Sequence, residues 1–272
     1  MRRILCLGLG VCGMLAGLPA SAQNAPEVAL TRLDCGNAAT PGSVARFSDT
    51  FAYPELKVQL TFSCYLVKHG EEYLVWDTGY AVGANPNAPK VSLVDQLAQL
   101  KLTPAQVRYV AISHYHGDHV GQAHLFPKAT LLIGKGDWDV LSGPRPLVPA
   151  ADPAPLMNWI GGGGKVETIT LDKDVFGDGM VVMIDTPGHT PGHHSLLVRL
   201  KESGNVLLTG DLAHFQENYD GNGVPTFNTD RAATLASLDR FKKIAATLKA
   251  TVIIQHDPRD IGKLPAFPAA AK

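Results

Sequence analysis

The sequence predicts a layered α/β fold, built from β-sheets and helices. Short apolar runs typical of strands alternate with amphipathic helical segments along the chain. Four of these apolar runs lead into a histidine or an aspartate. Because loops at strand ends often carry function, we expect these polar groups to meet at one edge of the sheets.

The first 22 residues have the three parts of a secretory signal peptide. Met1-Arg2-Arg3 is basic, Ile4–Leu18 is an apolar run too short to anchor in a membrane, and Ala20-Ser21-Ala22 offers small residues to a peptidase. We expect cleavage after Ala22, a periplasmic or secreted location, and no membrane anchor afterwards. Residues 23–272 would then form one catalytic domain. The alternative to a signal peptide is that residues 1–22 form an ordinary N-terminal helix.

Composition and charge exclude several classes of protein. The hydrophobic content of 45% is enough for a substantial core and too low for a polytopic membrane protein. The formal net charge is −1, and no basic stretch indicates a nucleic-acid partner. Cleavage would leave Cys35 and Cys64, which in an exported chain form either a disulfide or two buried free thiols. The sequence leaves both alternatives open.

The first half of the chain predicts a hairpin, a helix and a buried strand. The two hairpin strands are Val58–Val67 and Tyr73–Trp76, joined by a turn with glycine. Leucines at helical spacing predict a helix over Ser92–Leu100. Thr103-Pro104 starts a short helical turn. Val107–Ile112 is apolar apart from one arginine, and we expect a buried strand there.

The second half continues the alternation. In order, we expect a helix over Val120–Phe126, a strand over Ala129–Ile133, a helix start at Gly136–Leu141, strands over Val166–Leu171, Met180–Ile184, Ser195–Leu200 and Val206–Leu208, and a last strand over Thr251–Ile254. An amphipathic helix follows the capping pair Thr229 and Asp230. Gly143–Lys165 is rich in proline and glycine, so we expect an irregular surface excursion, interpreted as a lid over a site.

Seven side chains that bind divalent cations follow four of the predicted strands. His114, His116, Asp118 and His119 come after Val107–Ile112, and His189, Asp211 and His256 come after three later runs. Imidazole and carboxylate are the usual ligands of zinc-like ions. Seven groups are too many for one tetrahedral ion and suit two cations that share a carboxylate, an arrangement used to activate water for hydrolysis. A solvated histidine-rich loop is the alternative.

The pattern His114-x-His116-x-Asp118-His119, followed by His189, Asp211 and His256, resembles the metallo-β-lactamase superfamily. The resemblance implies an αββα sandwich, in which two mixed β-sheets are flanked by helices, with two divalent cations at one edge. Zinc is the first choice of metal, and manganese, iron and cobalt are alternatives because histidine and aspartate also bind them. By position the resemblance assigns one cation to His114, His116 and His189, the other to Asp118, His119 and His256, with Asp211 bridging. It also implies supporting roles for Asp77, in Trp-Asp-Thr-Gly, and for His193.

Within that superfamily the chain resembles secreted N-acyl-homoserine lactonases, the quorum-quenching enzymes. Asp211 stands where true β-lactamases carry cysteine or serine, and the 16 residues after His256 leave no room for the helical C-terminal domain of glyoxalase-II-type thioesterases. The resemblance implies a small-molecule lactone substrate and a homodimer, with Asp118 orienting the nucleophile and carrying a proton to the leaving alkoxide. A phosphotriester or aryl-ester hydrolase is the alternative, followed by a β-lactamase and a non-enzymatic metal-binding protein.

His214 departs from the pattern of the lactonases that this chain resembles. Those enzymes carry a tyrosine three residues after the bridging aspartate, where it helps to hold the substrate carbonyl. Histidine can donate a hydrogen bond from the same place. We therefore count His214 with Asp118 as a candidate catalytic residue, and a purely structural part is the alternative.

Overall fold

The computed structural model describes residues 26–144 and 150–272, so the expected signal peptide lies outside the described residues. The strands are β1 (Val28–Asn37), β2 (Gly42–Ser43), β3 (Lys57–Val58), β4 (Thr61–His69), β5 (Glu72–Trp76), β6 (Val107–Ile112), β7 (Thr130–Gly134), β8 (Val166–Ile169), β9 (Lys173–Asp174), β10 (Val181–Asp185), β11 (His194–Leu200), β12 (Gly204–Leu208) and β13 (Thr251–Ile253). The α-helices are α1 (Leu93–Gln99), α2 (Gly117–Val120), α3 (Lys135–Ser142), α4 (Met157–Ile160), α5 (Gln216–Asp220) and α6 (Arg231–Leu248).

Two mixed sheets form the centre of the fold. The first has the strand order β1-β4-β5-β6-β7-β8 and the second the order β13-β12-β11-β10-β9. In the second sheet β11 is antiparallel to both β10 and β12, and β13 is parallel to β12. β10, β12 and β13 therefore point the same way, and the loops that follow them lie at one edge.

Apolar side chains occupy both faces of each sheet, which explains why the central strands have nearly continuous apolar sequences. One core lies between the sheets, a second lies between the first sheet and α1, and a third lies between the second sheet and α6. Their members include, in that order, Trp76, Tyr109 and Leu196; Val110, Leu93 and Leu97; and Ile184, Leu238 and Phe241. The layers are helix, sheet, sheet, helix, so the predicted αββα sandwich is confirmed.

The helix expected over Val120–Phe126 begins earlier, and that prediction was wrong. The carbonyl of His116 accepts hydrogen bonds from the backbone N–H groups of His119 and Val120, which starts α2 directly after His116. A separate 3₁₀ turn follows at Ala123–Leu125. Asp118 and His119 therefore lie in a helical turn and not in an extended loop.

Other differences from the sequence predictions include β1 and the excursion at 143–165. The strand β1 was not predicted, and it pairs antiparallel with β4 at the edge of the first sheet. The excursion at 143–165 is not irregular throughout, because it contains α4, whose Trp159 is buried and donates a hydrogen bond to the carbonyl of Ala129. Its Ala151 forms a β-bridge with His116, so the described part of the excursion lies beside the predicted ligands.

Of the two alternatives for the cysteines, the structure has the disulfide. Cys35 on β1 is bonded to Cys64 on β4, with their Cα atoms 5.8 Å apart. The bond therefore ties the edge strand to its neighbour. Among the residues that the structure describes, no helix is long and apolar enough to cross a membrane.

Candidate metal centre

The four loops bring the seven predicted ligands together in two adjacent groups. The first group contains His114, His116, His189 and Asp211, and the second contains Asp118, His119 and His256. Within each group one ligand atom of every residue lies within 4.8 Å of the others. The first sheet supplies the residues that follow β6, and the second sheet supplies those that follow β10, β12 and β13.

The ligand atoms of the first group are ring nitrogens that face one another. His114 Nε2 lies 2.9 Å from His116 Nδ1, which lies 3.0 Å from His189 Nε2. Nitrogens bound to one tetrahedral zinc at its usual bond length would be about 3.3 Å apart. The observed spacing is close to that value, so these side chains can bind one cation with little rearrangement.

The second group has the same character and includes one carboxylate that reaches solvent. His119 Nε2 lies 3.2 Å from His256 Nε2. Asp118 Oδ2 is 3.7 Å from the first of these nitrogens and 3.8 Å from the second. The Asp118 side chain is 20% exposed, whereas both imidazoles are buried. Asp118 is therefore the member of this group that an incoming molecule can reach.

Asp211 connects the two groups. Its Oδ2 lies 3.6 Å from His114 Nε2 and 3.3 Å from His189 Nε2, in the first group. Its Oδ1 lies 3.2 Å from His119 Nε2 and 2.8 Å from His256 Nε2, in the second. Oδ1 is buried and has no hydrogen-bond partner among the described residues. One carboxylate thus offers an oxygen to each group.

In four of the imidazoles Nδ1 points away from the ligand groups, and its hydrogen-bond partner determines which ring nitrogen carries the proton. His256 Nδ1–H donates to the Thr61 carbonyl, and His119 Nδ1–H donates to Asp77. His189 Nδ1–H donates to Asn228 Oδ1. The Ser113 hydroxyl donates to Asp77 and can accept from Nδ1–H of His114. In the neutral rings the unprotonated Nε2 then faces the groups. Lone pairs that face one another around a buried carboxylate fit divalent cations.

Charge differs between the two groups. Burial lowers the pKa of His114 well below its usual value and that of His116 to about 4, so both rings are neutral ligands. Burial alone would also lower the pKa of His119 and His256, but Asp211 raises both. Protons therefore compete with a cation more strongly at the second group than at the first.

Asp77 lies behind the second group, at the start of the Asp77-Thr78-Gly79 loop. Its Oδ1 accepts the backbone N–H of Ser113 at 2.7 Å, and its Oδ2 lies 2.9 Å from His119 Nδ1. Gln255, next to His256, donates to the same Oδ2 at 3.0 Å. Asp77 therefore fixes the orientation of the His119 ring and joins the two sheets.

His193 and His214 both contact Asp211 from outside the two groups. His193 Nε2 accepts the backbone N–H of Asp211 at 2.9 Å, so it holds the main chain of the bridging residue. His214 Nε2 lies 3.0 Å from Asp211 Oδ2, and the His214 ring packs edge-on against Phe47. His214 Nδ1 is buried without a hydrogen-bond partner among the described residues.

A cavity of about 920 Å³ opens over the two groups. Its polar floor includes His116, Asp118, Asp211, His214 and His256. Its apolar wall is formed by Phe47, Leu60, Phe62, Tyr80, Tyr115 and Phe227, and the Ala150–Asp152 segment of the excursion lies at one side. This size and this mixed lining are typical of a site for a small, partly apolar molecule.

Sequence reasoning missed several residues that support the groups. Asn228 orients His189, and the carbonyl of Thr61 orients His256. Asn228 lies in an ordinary loop before α6, and a backbone carbonyl has no sequence signal at all. Three aromatic residues before β3 differ in their relation to the cavity: Phe47 lines it, Tyr53 packs against Phe215 beside it, and Phe51 is 83% exposed.

The four-layered fold and the two groups that share Asp211 define a protein built to hold two divalent cations side by side. The chain belongs to the metallo-beta-lactamase superfamily, whose family model matches residues 62–256. The matched region begins in β4 and ends at His256, the last predicted ligand.

Comparison with known proteins finds proteins of similar sequence and structures of similar fold. The N-acyl homoserine lactonase AttM of Rhizobium radiobacter is 34% identical over 181 residues, which cover 61% of this chain and 64% of that protein. A solved N-acyl homoserine lactone hydrolase, with the product N-hexanoyl-L-homoserine bound at its catalytic metal centre, is 22% identical with a TM-score of 0.71, covering 90% of this chain and 99% of the other. The dizinc quorum-quenching lactonase AidC, in complex with its product, is 20% identical with a TM-score of 0.66, covering 90% of both chains. At these identities the two structures show a shared fold.

Proposed function

We propose that this protein hydrolyses N-acyl homoserine lactones with the help of two divalent cations, zinc in the first place. The observation that carries the proposal is the pair of ligand groups bridged by Asp211 at the floor of a cavity with an aromatic wall. The relatives named as N-acyl homoserine lactonases support the choice of substrate. A relative described as dizinc supports the choice of metal.

The two cations and Asp118 would have different roles in such a reaction. Two cations in these groups would supply a nucleophile from water at neutral pH and polarise the lactone carbonyl. Asp118 is partly exposed at the cavity floor, so it can orient the attacking water, accept its proton and return that proton to the leaving alkoxide. The proton returned to the alkoxide completes ring opening to the hydroxy acid.

His214 and the cavity wall would position the substrate. His214 lines the cavity beside Asp211, where it can form a hydrogen bond to a bound substrate or hold the bridging carboxylate. Phe47, Phe62 and Phe227 give the wall an apolar surface that suits an acyl chain.

A substrate panel tests the proposal. The full chain, loaded with a defined amount of zinc, is offered N-hexanoyl-homoserine lactone, an aryl phosphotriester, a thioester and a β-lactam, and acid release is followed at constant pH. We expect the lactone to be hydrolysed fastest. Faster turnover of the phosphotriester, with no acid from the lactone, would replace the proposed function by the alternative one.

We also propose that the protein works outside the cytoplasm. The signal-like segment at residues 1–22 motivates this location, and the Cys35–Cys64 disulfide agrees with an oxidising compartment. Cell fractionation and N-terminal sequencing of the mature protein test it. A cytoplasmic protein that retains Met1 would contradict it. The expected homodimer stays a prediction.

A further inference from the structure

Asp137 is a buried carboxylate outside both ligand groups. It lies in the first turn of α3 and is completely buried. Its Oδ2 accepts a hydrogen bond from the Thr190 hydroxyl at 2.8 Å, and its Oδ1 accepts the backbone N–H of Gly192 at 2.7 Å. The backbone N–H of Tyr115 also interacts with this carboxylate and favours its charged form.

These partners belong to the two loops that carry the imidazoles of the first group. Tyr115 lies between His114 and His116, and Thr190 directly follows His189. One carboxylate therefore interacts with both loops, at groups one to three residues from the imidazoles. It does so through backbone and hydroxyl donors, and it leaves the ring nitrogens free.

Glycines allow the loop after His189 to rest directly on the start of α3. A Cβ added at Gly192 would lie 2.4 Å from the backbone nitrogen of Asp137, and one added at Gly134 would lie 1.8 Å from the carbonyl oxygen of Gly192. Either contact is too close for a side chain. The backbone approach fixes the distance between the loop and the helix, and Asp137 lies at that contact.

The partners of Asp137 distinguish it from a helix cap. A capping carboxylate accepts N–H groups from its own helix, and the start of α3 has no side-chain cap. Burying a carboxylate is also unfavourable. Here burial raises the pKa of Asp137 to about 7, although the hydrogen bonds from Thr190 and Gly192 oppose the rise. The two oxygens accept from two different residues of the loop after His189, which a neutral asparagine with one oxygen could not do.

We propose that Asp137 is a positioning residue of the first cation group, which holds the loops of His114, His116 and His189 in the spacing that one cation requires. This inference rests on one part of the proposed function, the binding of cations by the two groups, and does not depend on the substrate. Metal binding therefore tests it whatever the substrate is.

The test compares Asp137→Asn with Asp174→Asn in the full chain. Asp174 on β9 is the control, since it also accepts two loop amides, from Gly177 and Gly179. It pairs with the start of β10, and His189 follows the opposite end of that strand. Zinc is titrated against a chromogenic chelator. We expect Asp137→Asn to weaken one of two zinc sites about tenfold or more, the usual effect of losing a support behind a ligand. Asp174→Asn should bind zinc like the original chain.

Two backgrounds show which site is affected. His256→Ala disables the second group, so the remaining zinc reports on the first, and His189→Ala does the reverse. Asp137→Asn should weaken zinc binding in the His256→Ala background and leave it unchanged in the His189→Ala background. Equal weakening in both backgrounds, or in neither, would overturn the proposal.

Thr190→Val provides a second variant in case Asp137→Asn does not fold. It removes one of the hydrogen-bond donors to Asp137 and keeps the carboxylate and the Gly192 contact. We expect a smaller loss of zinc affinity at the same site, with a far-ultraviolet spectrum like that of the original chain. Unchanged zinc affinity in this variant would contradict the proposed role.

Discussion

At the scale of single residues, Asp118 is the group on which the proposed reaction depends most. Its carboxylate is the partly exposed member of the second group and faces the cavity. Replacing it by asparagine keeps the shape and removes the proton acceptor. We expect kcat for lactone hydrolysis at saturating zinc to fall about 10²- to 10⁴-fold, the usual contribution of general acid–base catalysis.

Asp152 supplies the control for that substitution. It lines the same cavity and is hydrogen-bonded to the backbone of Ala154, but it belongs to neither ligand group. Asp152→Asn should therefore keep kcat within about twofold, an expectation for a side chain with no part in proton transfer. A hydrolytic rate that survives Asp118→Asn would show that another group moves the proton.

His214 tests whether a histidine can replace the tyrosine expected at this position. Phenylalanine would preserve the packing against Phe47 and remove the nitrogen that contacts Asp211. We expect His214→Phe to lower kcat about tenfold or more, since that hydrogen bond involves a charged acceptor. Tyr53→Phe is the control, because it removes a hydroxyl from the neighbouring aromatic cluster, where that hydroxyl donates to the carbonyl of Glu217. Equal kcat values in both variants would assign His214 a structural part.

The buried carboxyl of Asp137 makes stability depend on pH. Its folded-state pKa is raised from 3.8 to about 7, so its stabilising contribution is complete below pH 3.8 and is lost as the pH rises through 7. Relative to Asp137→Asn, the metal-free protein should lose about 2–3 kcal/mol of unfolding free energy between pH 5 and pH 7.5. Urea unfolding of both proteins at the two pH values measures this difference. A constant difference would mean that Asp137 titrates normally.

At the scale of elements, the disulfide braces the edge of the first sheet near the second group. Cys35 and Cys64 join β1 to β4, and the Thr61 carbonyl that orients His256 lies on β4. The two cysteines are 29 residues apart, and a loop of this size predicts a loss of about 3–4 kcal/mol on reduction.

Urea unfolding with and without a thiol reductant measures this contribution. The double variant Cys35→Ser, Cys64→Ser should unfold at the midpoint of the reduced protein, and the reductant should not change that midpoint further. A reduced protein as stable as the oxidised one would show that β1 is held by its pairing with β4 alone.

Elements with a strong local pattern could be predicted from sequence, and those defined by tertiary contacts could not. The strand β6 has the predicted bounds because its residues are apolar on both faces. The strand β1 mixes Thr31, Arg32 and Asp34 with apolar residues, and its pairing with a distant partner decides its conformation. The start of α2 depends on hydrogen bonds to the carbonyl of His116, and no residue type in the loop predicts those bonds.

The candidate site follows the same rule. Its seven ligands could be predicted as a set because each needs a particular side chain at the exit of an apolar strand. Asp137 could not be predicted, since it lies 22 residues from Tyr115 and 53 from Thr190 and matches no motif. Only the packing of α3 against both loops brings it to them.

At the scale of the whole molecule, the two cations would act as a cross-link between the sheets. The first group takes His114 and His116 from the loop after β6 in one sheet and His189 from the loop after β10 in the other. A cation bound there stabilises only the folded arrangement, because the unfolded chain does not hold these loops together. At a free concentration 1,000 times the dissociation constant, each cation would add about 4 kcal/mol.

We therefore expect removal of the cations to lower the melting temperature by about 10 °C or more in a chain of this size. Thermal unfolding with zinc and with a chelator measures the difference. The double variant His189→Ala, His256→Ala should melt at one temperature in both conditions, because each group has lost a ligand. The gap should also narrow below pH 6, since the imidazoles must be unprotonated to bind a cation. Equal melting temperatures for the zinc-loaded and chelated protein would mean that the two sheets are held together by their apolar core alone.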